Sequence, residues 1–243
     1  MIKSLLDRFR KPAGARFEPP APEVPFAAVG DIHGRLDLLE ELLPKLPQDL
    51  HIICVGDYVD RGPASVNTLR FLKDHPEILC LKGNHEDMLL DFIDRPDERG
   101  PRWLRNGGLQ TLADIGVRGI SETTQGEPLI EARHRMAEEM GAELISWVRE
   151  LPLLHETGNV AVLHAGADPA KPLSAADKRT LIWGHRDFLQ VPRQDGTWVV
   201  HGHTIVDAPS AEDGRVALDT GAYATGRLTA GIVEAGEVRF IST

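Results

Sequence analysis

Thiols, aromatic rings, long apolar runs and excess positive charge are all scarce in this chain, and each scarcity removes a class of protein. Two cysteines in 243 residues do not make the disulfide framework of a small secreted scaffold. Cys54 and Cys80 lie in His51-Ile52-Ile53-Cys54-Val55 and Ile78-Leu79-Cys80-Leu81, apolar runs that read as strands carrying buried free thiols. No apolar stretch approaches the length of a membrane span, and the N-terminus lacks the apolar core and cleavage site of a secretory signal. A soluble cytoplasmic protein is the expectation. Lys and Arg total 27 against 37 Asp and Glu, a net charge of −10, whereas a protein built to hold a nucleic-acid duplex carries a basic stripe or patch. A nucleotide substrate stays open, because bound metal ions would be the largest local positive charges.

The length suits one large α/β domain, and no Pro/Gly-rich linker divides the interior. We expect that domain over residues 26–243, behind a loosely ordered leader over 1–25. In the leader, Ile2, Leu5, Leu6 and Phe9 alternate with Lys3, Arg8, Arg10, Lys11 and Arg16, and prolines follow at 12, 19, 20, 22 and 25. A short basic amphipathic helix touching a membrane surface or partner through residues 1–16 is the alternative reading.

From Phe26 the pattern alternates. Phe26-Ala27-Ala28-Val29 reads as a strand, Leu36, Leu39, Leu43 and Leu46 recur at helical spacing, and the Cys54 and Cys80 runs each precede a helical segment. The first third therefore predicts parallel βαβαβ, its third helix beginning near Glu86. Residues 86–150 look mostly helical, an insert placed where a cap would sit. Thr157-Gly158-Asn159 then turns a hairpin, and β runs at 198–201, 216–219, 227–234 and 237–242 predict a second sheet. A two-sheet sandwich with outer helices follows.

Five polar islands interrupt these runs: Asp31-Ile32-His33-Gly34, Gly56-Asp57-Tyr58-Val59-Asp60-Arg61-Gly62, Gly83-Asn84-His85-Glu86, Leu163-His164-Ala165-Gly166 and Gly202-His203-Thr204. Each follows a strand-like run, where several chain turns converge on one crevice. Carboxylate, imidazole and amide groups without thiolate suit hard or borderline divalent ions, and two such ions can activate water and clamp a phosphoryl group. Asp57 is the natural bridging ligand. Arg61 can grip phosphate oxygens with its planar fork, although an Asp60–Arg61 loop ion pair is the plainer account. His85 can protonate a leaving alkoxide if Asp60 orients it. Asn84 serves as a neutral ligand or as a helix N-cap. His164 and His203 would complete the second ion, and His201, two residues away on a strand, is kept as a supporting or structural residue.

The set resembles the calcineurin-like metallophosphoesterases, and within them the phosphoprotein phosphatase branch, whose pattern is GDxHG, GDxxDRG and GNHE followed by HGG and GH. Gly30 to Gly34, Gly56 to Gly62 and Gly83 to Glu86 match without a gap, and the likeness spans about residues 26–235. The resemblance implies a calcineurin-like β-sandwich flanked by helices. It implies that Asp31, His33 and Asp57 hold one metal and that Asp57, Asn84, His164 and His203 hold the other, manganese being expected, with iron, zinc, nickel or cobalt suited to the same donors. It also implies in-line attack on phosphorus by a metal-bridging hydroxide, phosphate held by two arginines, and leaving-group protonation by His85. Arg61 matches the first arginine; Arg186, in Leu181-Ile182-Trp183-Gly184-His185-Arg186, matches the second more loosely and can equally pair with Asp187.

Two departures bear on the branch. Ile205 stands where broader metallophosphoesterases place the last histidine of GHxH, and Ala165 replaces the first glycine of HGG. The first fits the phosphatase branch, and without the long regulatory surfaces of the eukaryotic members the chain is similar to compact bacterial serine/threonine phosphatases and to symmetrical diadenosine tetraphosphatases. Leu218-Asp219-Thr220-Gly221-Ala222 shares this likeness, although a β-turn explains it sufficiently. The expected activity is phosphomonoester hydrolysis, on phosphoserine or phosphothreonine in proteins or on a small phosphoester. The alternatives are a dinucleoside polyphosphate or nucleotide-end pyrophosphohydrolase and, from a different class, an inactive metal-binding module. Between the first two the helical insert decides: Trp103, Arg102 and Arg105 can meet a nucleotide, or Trp103 belongs to the core.

Overall fold

A computed structural model describes residues 17–243. The amphipathic reading of residues 1–16 lies outside the described residues. From Phe17 the chain is strapped rather than loose, which shortens the expected leader. The Phe17 ring meets Trp198 edge-on at 5.6 Å, the Trp198 indole donates to the Glu18 carbonyl at 2.7 Å, and Glu23 N donates to Thr157 Oγ1 at 3.0 Å. Asn159 and Gly236 take up the carbonyls of Pro19 and Pro20, so the prolines lie where their missing N–H groups are not needed.

Two five-stranded sheets face each other. In the first, β1 (Phe26–Val29), β2 (His51–Cys54) and β3 (Ile78–Cys80) run parallel, joined by α1 (Leu36–Leu42) and α2 (Ser65–Asp74). Period-2 alternation splits each strand between two cores. Phe26, Ala28, Ile53 and Val55 point toward the other sheet, and Ala27, Val29 and Cys54 point toward the helices. Cys54 and Cys80 are register partners, both free and buried.

The expected insert is helical: α3 (Asn84–Asp94), α4 (Pro96–Trp103), α5 (Leu109–Asp114) and α6 (Glu127–Glu150). Helix α3 opens at Asn84, two residues before the expected start, so the third island is the first turn of a helix. Phe92, Trp103, Leu129 and Met136 join one apolar cluster with α1 and α2, and the corner between α4 and α5 is where the insert reaches the strand ends.

In the second sheet β4 (Leu154–Thr157) and β5 (Val160–Leu163) form the expected hairpin. Strands β6 (Trp198–His201) and β8 (Arg215–Ala217) continue in parallel, and β7 (Ser210–Glu212) closes the edge. Outside it lies α7 (Lys178–Trp183), whose Leu181 and Ile182 pack on Ala161, Leu163 and Val199. One expectation is corrected. The last runs, β9 (Thr229–Glu234) and β10 (Glu237–Ser242), belong to the first sheet, with β9 antiparallel to β1. Alternation told which face each strand buries but not its neighbour. The short α8 (Ala222–Thr225) links the two sheets.

Candidate metal centre

All five islands lie past the carboxyl ends of β1, β2, β3, β5 and β6, at one end of the sandwich. The backbone there is strained. Six non-glycine described residues have positive φ, and five of them are His33, Asp57, Asp60, Arg61 and His203. A left-handed conformation costs an ordinary residue about 1–2 kcal/mol, so such a concentration marks a place where side-chain direction outweighs backbone comfort.

Glu86 holds the strained turn in shape. Its buried carboxylate accepts from the amides of Asp57, Tyr58, Val59 and Gly83 at 2.9, 2.7, 3.3 and 2.9 Å. The GDYV turn and the start of α3 thereby share one acceptor. Burial still pushes the Glu86 carboxyl up to about 7, so the amides are what make the carboxylate tolerable there.

Two triads of donor atoms form around Asp57. His33, Asp57 and His85 bring one ligand atom each within 4.8 Å of the others, as do Asp57, His164 and His203. The His33 Nδ1–H donates to the Val59 carbonyl at 2.8 Å, which leaves Nε2 as a lone pair 3.7 Å from Asp57 Oδ2. His164 is set the same way: Nδ1 donates to the Val55 carbonyl at 3.1 Å, and Nε2 stands 2.9 Å from Asn84 Oδ1 and 3.3 Å from Asp57 Oδ1. Lone pair, amide oxygen and carboxylate oxygen all accept and none donates, so their convergence fits a cation. Burial pulls His33 down to about 3 and His203 to about 4, keeping both imidazoles neutral as ligation requires. At Asp57, burial opposes the charge, but the neighbouring His164 and His85 outweigh it and hold the carboxyl well below the usual range.

Asp31 stands beside these triads. Its two oxygens lie 3.1 and 3.0 Å from the donating amide of His203, and burial followed by the charges of Asp219 and Asp57 pushes it well above the usual carboxylate range. Asn84 Oδ1 also lies 2.8 Å from His203 Nδ1, so the amide joins both histidines.

His85 and Asp60 form a separate pair. His85 Nδ1 lies 2.7 Å from Asp60 Oδ2, and Asp60 accepts in addition from Trp103 Nε1 at 2.9 Å and Thr111 Oγ1 at 2.7 Å. Burial pulls the His85 imidazole down, yet Asp57 and Asp60 outweigh it and its pKa is raised. The other nitrogen, Nε2, faces Arg61 Nη2 at 3.3 Å. Arg61 lies over the Tyr223 ring, 4.7 Å from its centroid, which fixes the guanidinium at the mouth of the site.

A family model for calcineurin-like phosphoesterases matches residues 24–207. The chain belongs to that family. As a calcineurin-like phosphoesterase it is 29% identical over 232 residues to the asymmetrical bis(5'-nucleosyl)-tetraphosphatase of Oceanobacillus iheyensis, covering 83% of this chain and 86% of the relative. It is 28% identical over 218 residues to serine/threonine-protein phosphatase 2 of Escherichia coli, covering 83% and 89%. A crystal structure assigned as a diadenosine tetraphosphatase superimposes with a TM-score of 0.63 at 21% identity, covering 92% of this chain and 95% of that one, a likeness of fold. The chain is accordingly a metal-dependent hydrolase of the metallophosphoesterase type.

Not every expected residue joins the phosphoesterase site. Arg186 leaves 88% of its side chain exposed and pairs with Asp187 at 3.5 Å; it follows Gly184, whose φ of 79° turns the chain outward after α7. His201 turns away from His203 and meets the Phe188 ring at 4.9 Å, because His203 lies beyond the strand with φ of 63° and no longer obeys strand alternation. Trp103 is fully buried against Phe92, so its ring is core while its N–H serves Asp60. Thr111 and Tyr223 carry no local motif that points to the site, whereas Asp219, for whose run a β-turn is a sufficient account, faces Asp31. Glu86 carries one, as the last letter of the third island.

Space around the carboxylates is as restricted as their direction. A Cβ on Gly202 would collide with Asp31 Oδ1, and one on Gly83 with Asp57 Oδ1. These glycines are required for closeness of approach, not for φ.

Proposed function

We propose that the protein hydrolyses phosphomonoesters whose leaving group is a poor one, phosphoserine and phosphothreonine in proteins above all. The observation that carries this reading is the His85–Asp60 pair, a buried imidazole held above its ordinary pKa with its second nitrogen facing the phosphate-binding Arg61. An alkoxide cannot depart at neutral pH without a proton, whereas a phosphate leaving group needs little help.

His33, Asp57, Asn84, His164 and His203, with Asp31 against them, would hold two divalent ions, which supply activated water and charge neutralisation when bound; manganese is the ion expected. Arg61 would bind two oxygens of the transferring phosphoryl group, held in place by Tyr223. His85 would give its Nε2 proton to the leaving oxygen, while Asp60 keeps Nδ1–H oriented and stabilises the imidazolium that precedes the transfer.

The test compares a phosphopeptide with p-nitrophenyl phosphate at fixed metal. His85→Asn should slow the phosphopeptide far more than the aryl ester, whose phenolate leaves unaided. Equal losses on both would remove the acid role. A second reading, hydrolysis of dinucleoside polyphosphates, is favoured by one specific feature: cationic side chains beside the centre on α4 and α7.

A further inference from the structure

Arg61 stands at the tip of a very tight turn. Gly62 N donates to the Asp60 carbonyl at 2.8 Å, and with φ of 68° at Arg61 this loop is a γ-turn of the positive-φ kind, which is rare and strained. Asp60 before it is left-handed as well, with φ of 71°. Two consecutive side chains with different partners, Asp60 behind His85 and Arg61 at the mouth of the site, are thus kept in backbone conformations that need support from outside the turn.

That support comes from the corner between α4 and α5, remote in sequence. The Gly107 carbonyl accepts from Arg61 N at 3.3 Å. Gly107 has φ of 109°, and a Cβ there would stand 2.8 Å from Arg61 Cγ and 2.9 Å from Arg61 N, against 3.1 Å from Asp60 Cβ. The bare glycine lets the corner lie against the Arg61 stem, whose guanidinium rests over Tyr223. Thr111, in α5, makes the second contact. Its Oγ1 accepts from Asp60 N at 3.1 Å and donates to Asp60 Oδ1 at 2.7 Å, so one hydroxyl ties the backbone of Asp60 to its own carboxylate and fixes the rotamer. Ser65 Oγ also accepts from Asp60 N, at 3.0 Å, so that amide keeps a partner without Thr111, whereas the carboxylate loses its tie to α5. Helix α5 is fastened to α2 separately, because Asp114 Oδ2 accepts from Val66 N at 3.3 Å.

We infer that Gly107 and Thr111 are positioning residues for the reaction: the corner sets Arg61 through the Gly107 backbone, and it sets Asp60, and through Asp60 the His85 ring, by way of the Thr111 hydroxyl. This rests on the roles proposed above for Arg61 and His85. Because the two contacts reach different side chains, their losses separate. A displaced guanidinium weakens the hold on phosphate in ground state and transition state alike. A misdirected imidazole slows only the departure of a leaving group that needs a proton.

The experiment measures kcat and KM on a phosphoserine peptide and on p-nitrophenyl phosphate, with competitive inhibition by inorganic phosphate, at constant free manganese. Gly107→Ala should raise KM on both substrates and the phosphate inhibition constant by roughly 10- to 100-fold, with the ratio of the two kcat values unchanged. Thr111→Val should lower kcat on the peptide by roughly tenfold, with kcat on the aryl ester and the phosphate inhibition constant at wild-type values. Thr111→Ser, which keeps the hydroxyl, should restore the peptide rate. Metal content should match wild type in each variant, since the contacts run to Asp60 and Arg61 and not to the metal donors. Circular dichroism reports whether each variant is folded, and Thr111→Val, close in shape to the native residue, keeps the test decisive if Gly107→Ala does not fold. Folded variants with wild-type constants, or with equal losses of kcat on both substrates and an unmoved phosphate inhibition constant, overturn the inference. If Arg61→Ala leaves phosphate inhibition unchanged, or His85→Asn slows both substrates equally, the underlying roles fail instead, a result that the corner variants cannot produce.

Discussion

Trp103 Nε1 lies 2.9 Å from Asp60 Oδ1 and 3.0 Å from Oδ2, so an indole in the middle of the helical layer is tied to the carboxylate behind His85. The ring stacks on Phe92 at 4.4 Å, and the tie links the packing of α3 and α4 to the His85–Asp60 pair. Replacing Trp103 by Phe keeps most of the ring and removes one donor from a buried carboxylate. We expect kcat on a phosphopeptide to fall by about tenfold, against about 10²- to 10⁴-fold for His85→Asn. Metal content should stay at wild-type level in Trp103→Phe. Single-turnover kinetics with a series of leaving groups would check it: the slope against leaving-group pKa should steepen in both variants.

The convergent acceptors around Asp57 predict tight dependence on metal. Treatment with a chelator should abolish turnover, and elemental analysis after dialysis should find two ions per chain restored by manganese. Asp57→Asn, which weakens the ligand common to both triads, should retain fewer than two. Gly202→Ala should do the same without replacing any of these side chains, since its methyl would displace the Asp31 carboxylate. A Gly202→Ala protein with full metal content would show that Asp31 has room to move.

The residues behind these two predictions differ in how far the sequence made them legible. The convergence of Asp31, His33, Asp57, Asn84, His164 and His203 was readable because each lies in a short polar motif behind an apolar run, and strand ends converge in this architecture. Trp103, Thr111 and Tyr223 were not, since their contribution depends on partners 43 and 51 residues away for the Asp60 contacts and on the α8 turn for Arg61. The hairpin of residues 154–163 was legible from its turn. The place of β9 and β10 was not, because an apolar alternation fits either sheet until a neighbour is chosen. Arg186 shows the same limit from the other side: a loosely matched arginine in an irregular segment carries no information about direction.

At the opposite end of the sandwich, Phe17 contributes to stability. Its ring packs on Trp198 and over Gly214. Phe17→Ala should cost about 1–2 kcal/mol from the lost ring contact and reburied area. That corresponds to about 2–8 °C in melting temperature for a domain of this size. Scanning calorimetry would measure it, and the kinetic constants should not change, because the strap is remote from the donors.

Acid should weaken the loop before β6. Arg193 is buried and donates through Nε to Asp195 Oδ1 at 3.0 Å and through Nη1 and Nη2 to the carbonyls of Asp168 and Lys171 at 3.1 and 2.9 Å. Burial opposes the Asp195 charge, but Arg193 and the Thr197 amide outweigh it and hold the carboxyl below its usual 3.8. The folded state therefore favours the carboxylate. Its contribution is full above the ordinary carboxylate range and is lost as pH falls through the lowered folded value. Because Asp195 is 41% exposed, the contribution is screened to about 0.2–1 kcal/mol. Urea unfolding should show Asp195→Asn less stable than wild type at pH 7, with the difference shrinking as the pH falls below the ordinary carboxylate range.

The strap from Phe17 to Glu23 fastens turns of both sheets at the end where the strands begin, through Thr157 and Asn159 on one side and Gly236 on the other. At the far end, the fasteners are the site residues themselves, His164 against Val55 and His203 against Asp31. The sandwich is thus clasped at both ends, by backbone and ring contacts of the strap at the one and by the polar side chains of the site at the other, so a side chain there that meets a ligand also spans the gap between the sheets.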